Sequence, residues 1–99
     1  MAYSWPMHFE WDETKSEACF RERGFDFAYA ANAFFDPHRS VHADRRREYG
    51  EDRFRLIGRI EERVFVVVFT PRARALRIIS ARKANAREVR HYEDSTRKD

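Results

Sequence analysis

The run VFVVVFT at residues 64–70 sets the strongest limit on how this chain folds. Every side chain from Val64 to Phe69 is apolar, so neither face of an extended segment here can be left to water. β-Branched and aromatic residues favour a strand, and one that is apolar on both sides belongs inside a sheet with cover above and below. The rest of the chain must then supply flanking strands and two covering layers. Ninety-nine residues, 42% of them hydrophobic, suffice for one such core and leave little room for a second. A single domain over 1–99, with its core at about 8–95, is the expected organisation.

HFEWD (8–12) alternates like a short strand, with Phe9 and Trp11 on one side. Asp12 can then cap a helix, ETKSEACFRER, that ends at Gly24, a residue suited to the left-handed position after a helix. Cys19 and Phe20 are expected to pack from this helix, with Ala18 able to join them. Asp26 can cap a second helix carrying Phe27, Ala30, Ala31 and Phe34 at helical spacing, and Asp36-Pro37 stops it. A weak strand at 39–44 and a charged loop, RRREYGED (45–52), precede RFRLIGRI (53–60), where Arg53, Arg55 and Ile57 alternate with Phe54 and Leu56. EER (61–63) connects tightly to the apolar strand, and PRAR (71–74) turns the chain into ALRIISA (75–81). From about Ala84 to Ser95 the pattern becomes helical, with Ala86, Val89 and Tyr92 in one stripe. Short connections favour antiparallel neighbours. The chain therefore reads as a small α+β domain: a mainly antiparallel sheet of about four to five strands, two N-terminal helices and one C-terminal helix.

Composition excludes several chemistries. One cysteine, Cys19, rules out an internal disulfide and fits a reducing, cytoplasmic setting. One Cys and four scattered His (8, 38, 42 and 91) do not supply a zinc site, and three glycines cannot build a phosphate-cradling loop. No metal and no cofactor are expected. No apolar run approaches the length needed to span a bilayer, and the N-terminus does not resemble a secretory signal, so no membrane partner is expected either.

What remains is arginine. The net charge of +3 hides an asymmetry: residues 1–38 carry three Lys/Arg against seven Asp/Glu, and residues 71–99 carry nine against four. Arg53 and Arg55 share a strand face, Arg77 lies on a later strand, Arg82 and Lys83 end that strand, and Arg87 and Arg90 follow on the helix. Cations from several elements, with His42, Tyr49 and Tyr92 available for stacking, are what RNA binding requires. Arg53, Arg55, Lys83, Arg87 and Tyr92 are the RNA-binding candidates. Metal-free cleavage further needs a base for the 2′-hydroxyl proton, an acid for the leaving oxygen and cations for the phosphorane charge. Glu88, His42 and His91 can move protons, and Arg77 and Arg82 can hold phosphate. A surface salt bridge to a neighbouring cation is the competing use of Glu88, and core packing that of Tyr92.

FEWDETK (9–15), GFDF (24–27), AFFDP (33–37), RFRLIG (53–58), VFVVVFT (64–70) and RIISARKANAREVRHYE (77–93) together resemble the BrnT family of toxins, in the same order and at similar spacing. The resemblance implies a ribonuclease of RelE-like fold that blocks translation by cutting RNA without a metal. It also implies a DNA-binding antitoxin of the BrnA type that wraps the toxin, represses the shared operon and forms a heterotetramer with it. Position by position it points to Asp12, Lys15, Arg53, Arg77, Arg82, Glu88 and Tyr92. The catalytic set read from residues and resemblance together is Glu88, Arg82, Arg77, Lys15 and His42. Two places depart from the family pattern: Cys19 stands for an Asn, and Glu22-Arg23-Gly24 for Lys-His-Gly. Arg23 cannot replace a titrating His near neutral pH. A non-catalytic module that binds RNA or a partner on the same surface is the alternative reading.

Overall fold

The apolar run lies in the interior of the sheet. The structure, a computed structural model, describes residues 8–45 and 50–97; residues 46–49 of the loop 45–52, Tyr49 among them, lie outside the described residues. Five strands, β1 (His8–Trp11), β2 (Ser40–Ala43), β3 (Phe54–Ile60), β4 (Arg63–Arg72) and β5 (Ala75–Lys83), form one sheet in the order β1-β5-β4-β3-β2. The meander β2-β3-β4-β5 is antiparallel throughout, as its short connections require, whereas β1 pairs with β5 in parallel. The turn at Glu61-Glu62 holds Glu61 at φ 57°, a left-handed conformation adopted without a glycine.

Pairing register sorts the side chains into two faces. On the first face Leu56, Ile60, Phe65, Val67, Phe69, Leu76 and Ile78 build the main core with Phe9 and Trp11 of β1. On the second face Ile57, Val64 and Val66 form a smaller cluster with Tyr92 and Val89. The strand β4 thus feeds both cores, which is why no position from Val64 to Phe69 is polar.

Two helical elements cover the first face. Helix α1 (Glu13–Arg23) begins at Asp12, whose carboxylate accepts from the Thr14 and Lys15 N–H groups, and ends at Gly24 with φ 87°. Cys19 and Ser16 are its buried residues; Phe20, expected to pack, is 58% exposed. Ser16 and Cys19 hold the core stripe, and Phe20, about 100° round the helix from Cys19, falls at its margin. Helix α2 (Phe27–Ala30), capped by Asp26, tightens into a 3-10 segment, Ala31–Phe35, instead of continuing as α. Phe34 lies 5.0 Å from both Phe9 and Phe69, tying this segment to β1 and β4. Ala33 meets β3 so closely that a Cβ on Gly58 would stand 2.6 Å from the Ala33 carbonyl oxygen. That approach is what requires glycine in the middle of β3.

Helix α3 (Ala86–Thr96) covers part of the second face. Its apolar contacts come from Val89 and Tyr92, with Ala84 just before the helix; Ala86, expected in the stripe, is exposed in the first turn. Among the described residues no helix is long and apolar enough to cross a membrane.

Candidate functional site

The second face carries the arginines. Arg55 of β3 is opposite Val68 of β4, Val68 is opposite Ser80 of β5, and Arg82 is opposite Val66, one pair further along. His42 of the edge strand β2 is opposite Arg55. Arg77 is opposite Thr70 on one side and Glu10 of β1 on the other. A register shift between Val68 and Phe69 keeps Arg77 and Arg82, five residues apart, on the same face.

Glu88 completes this surface from the first turn of α3. The segment Asn85–Glu88 is a capping box: the Asn85 side chain accepts from the Glu88 N–H at 2.8 Å, and Glu88 Oε1 accepts from the Asn85 N–H at 2.8 Å. Arg82 then donates to the same carboxylate in parallel, Nη1 to Oε1 at 2.8 Å and Nη2 to Oε2 at 2.9 Å. The Arg82 bonds, helped by the Asn85 N–H and the nearby Arg55 charge, outweigh partial burial and bring the Glu88 carboxyl down to about 2. Glu88 is therefore a fixed carboxylate at neutral pH and a poor proton acceptor. Its geometry makes it the group that aims Arg82.

Arg55 lies beside this pair, half-buried, and its Nε–H is a buried donor without a hydrogen-bond partner among the described residues. Buried donors of this kind are uncommon, and an ion or a water to be bound is one reason a fold keeps one. At the margin the rings of His42 and His91 face each other, centroids 6.5 Å apart and planes 28° apart, one from β2 and one from α3. Both imidazoles are exposed. The arrangement offers a guanidinium fixed in orientation, a second cation with an unused donor and two imidazoles.

Other expected residues are placed elsewhere. Arg77 is half-buried and gives Nη1 to Glu10 at 3.3 Å. Arg53 gives Nε to Glu51 at 3.2 Å, and Glu51 also holds Arg72. Lys83, grouped with Arg82 in the sequence, is opposite Phe65 and so belongs to the first face, because neighbouring strand residues alternate. Lys15 sits on the exposed side of α1, in a groove that it shares with Ile79, Ser80 and Ala81 of β5 and that Glu88 does not line. Arg87 is exposed on α3. Tyr92 is 5% exposed, which leaves no ring face for stacking a base.

Tyr92 has a different task. Its hydroxyl donates to Asp36 Oδ2 at 2.5 Å, and the same oxygen accepts from the Arg59 N–H at 2.7 Å, while Oδ1 accepts from the His38 N–H at 2.9 Å. Burial pushes the Asp36 carboxyl up, but the three donors together pull it below its ordinary value; burial first, then Asp36, raises the Tyr92 phenol. Asp36 thus fastens the end of the 3-10 segment, β3 beyond the reach of β2, and α3 to one another. The Arg59 guanidinium lies 5.4 Å from the centre of the Tyr92 ring. In the sequence Asp36 signals only a helix stop before Pro37, and the Asn-x-x-Glu pattern at 85–88 was the signal that could have tied Glu88 to the helix start.

The two places that depart from the family pattern are both on α1. Cys19 is buried, its thiol 3.7 Å from the Ala81 carbonyl and raised in pKa by burial, so it packs as a thiol. Arg23 is exposed and lines a groove on the first face.

The sequence model of one family matches residues 11–88, from the end of β1 through Glu88; its description is "Ribonuclease toxin, BrnT, of type II toxin-antitoxin system". The match covers most of the chain and takes in Arg55, Arg77, Arg82 and Glu88, while His91 and Tyr92 lie past its end. This chain belongs to the BrnT family, ribonuclease toxins of type II toxin–antitoxin systems, and membership implies an antitoxin as partner. No curated protein matches the chain.

Proposed function

We propose that this chain cleaves RNA without a metal on its second face, blocks translation in the cytoplasm, and is silenced by a DNA-binding antitoxin of the BrnA type in a heterotetramer. A RelE-like fold is part of the same reading. The observation that carries it is the Arg82–Glu88 pair beside the unused Arg55 donor. Arg82 and Arg55 would hold the scissile phosphate and take up the charge of the phosphorane. Arg77, five strand residues away and so roughly 15 Å along β5, would hold a neighbouring phosphate rather than the reacting one.

Proton movement falls to the histidines in this reading. One imidazole takes the 2′-hydroxyl proton as the 2′-oxygen attacks phosphorus; the 5′-oxygen leaves and receives a proton from the other. Imidazole suits both roles because one ring nitrogen can accept a proton while the other donates one. Glu88 orients Arg82, and Lys15, Lys83 and Tyr92 have no part in the chemistry.

Incubating the purified chain with a long single-stranded RNA in EDTA tests the proposal. The expected products carry 2′,3′-cyclic phosphate and 5′-hydroxyl ends, and expression of the chain without its antitoxin arrests growth. Retention of RNA without any product would instead assign a binding module, and cleavage only after a divalent ion is restored would overturn the metal-free route.

A further inference from the structure

The first face carries a second basic surface that the proposed cleavage does not use. An open groove of about 470 Å³ runs between the end of α1 and the sheet, lined by Phe20, Tyr29 and Phe65 and by Arg23, Arg63 and Lys83. Its one acidic lining residue, Asp26, is occupied as the cap of α2, accepting from the Tyr29 N–H at 2.9 Å. Arg23 has only an exposed contact of 3.5 Å with Glu22, and the side chains of Arg63 and Lys83 have no hydrogen bond or ion pair among the described residues. Phe20 stands at the rim 58% exposed, a large apolar residue that contributes nothing to the core cluster beneath it.

We infer that this groove is where an acidic segment of the antitoxin docks, one carboxylate or more over Arg63 and Lys83 and an apolar side chain against Phe20. Charge decides between a protein segment and RNA. On the far side of Phe20 a second groove is lined by Glu13, Glu17 and Asp26 against one cation, Arg21, and residues 1–38 carry seven acids against three bases. A phosphate backbone crossing Phe20 would run from cations onto carboxylates, whereas a peptide can place acidic and apolar residues where each fits. An exposed aromatic beside unpaired cations also supplies the usual anchors of a protein interface. The inference rests on membership of a type II toxin family and not on the cleavage chemistry.

Titration of the purified antitoxin into the purified chain, by calorimetry, tests the docking site. Phe20→Ala and Arg63→Glu are each expected to weaken binding about tenfold or more, the loss at Arg63→Glu shrinking as salt is raised. Both positions are exposed, and unfolding midpoints close to the parent's verify that the variants are folded. Arg82→Ala is expected to keep antitoxin affinity within twofold, which separates this inference from the cleavage reading. Antitoxin affinity unchanged in both groove variants overturns it. So does RNA affinity falling in their place, or sedimentation showing that Phe20→Ala dissolves a self-associated form of the chain.

Discussion

Removing Arg82 and removing Glu88 have different expected outcomes, because one is proposed to touch phosphate and the other to hold the first in place. Arg82→Ala is expected to lower the cleavage rate by about 10²–10³-fold, and Arg82→Lys to recover little, since an ammonium cannot make two parallel bonds to Glu88. Glu88→Gln should cost roughly ten- to hundredfold through misplacement of Arg82; single-turnover cleavage with matched RNA checks all three. Glu88 also has a stability signature. Its folded pKa of about 2 lies below the ordinary 4.5, so its contribution is complete above pH 4.5 and is lost as pH falls towards 2. With Arg82 42% exposed the loss should reach no more than about 2 kcal/mol, and urea unfolding should show a shallower acid dependence in Glu88→Gln. Strand alternation alone could group Arg53 with Arg55 but not Arg77 with Arg82, which are five residues apart and share a face only through the register shift between Val68 and Phe69. The pairing of Arg82 with Glu88 was not legible either, because it depends on where α3 starts, and Lys83 was misgrouped because adjacency in a strand means opposite faces.

At the level of elements, the 3-10 segment and β3 are locked by two contacts of opposite chemistry. Gly58→Ala drives a methyl group against the Ala33 carbonyl at 2.6 Å, and a shift of the segment is unavoidable. A loss of about 2–3 kcal/mol is expected, read by urea denaturation. Tyr92→Phe leaves Asp36 short of one donor and should cost about 1–2 kcal/mol by the same measurement. Most element positions were readable from caps and periodicity: Asp12 and Gly24 bracket α1, and the strand alternation at 53–60 sets the two faces of β3. The switch from α to 3-10 after Ala30 was not, since the spacing of Ala30, Ala31 and Phe34 fits both helices and only the docking on Gly58 decides between them.

Over the whole molecule, the two basic surfaces lie on opposite faces of one sheet, which a net charge of +3 conceals. RNA affinity should fall with salt at a log–log slope of about −2 if three arginines each neutralise a phosphate on a single strand. Arg77→Ala should flatten that slope by about 0.7 while sparing more of the cleavage rate than Arg82→Ala does, as filter binding across a salt series can measure. The parallel seam between β1 and β5 has a consequence for synthesis. Among the described residues β1 pairs only with β5, the last strand, and Glu88 arrives later still, on α3. A growing chain lacks both the sheet edge and the carboxylate that aims Arg82 until its final quarter has emerged. On the proposed reading, the chain is therefore without its cleaving surface for most of its synthesis.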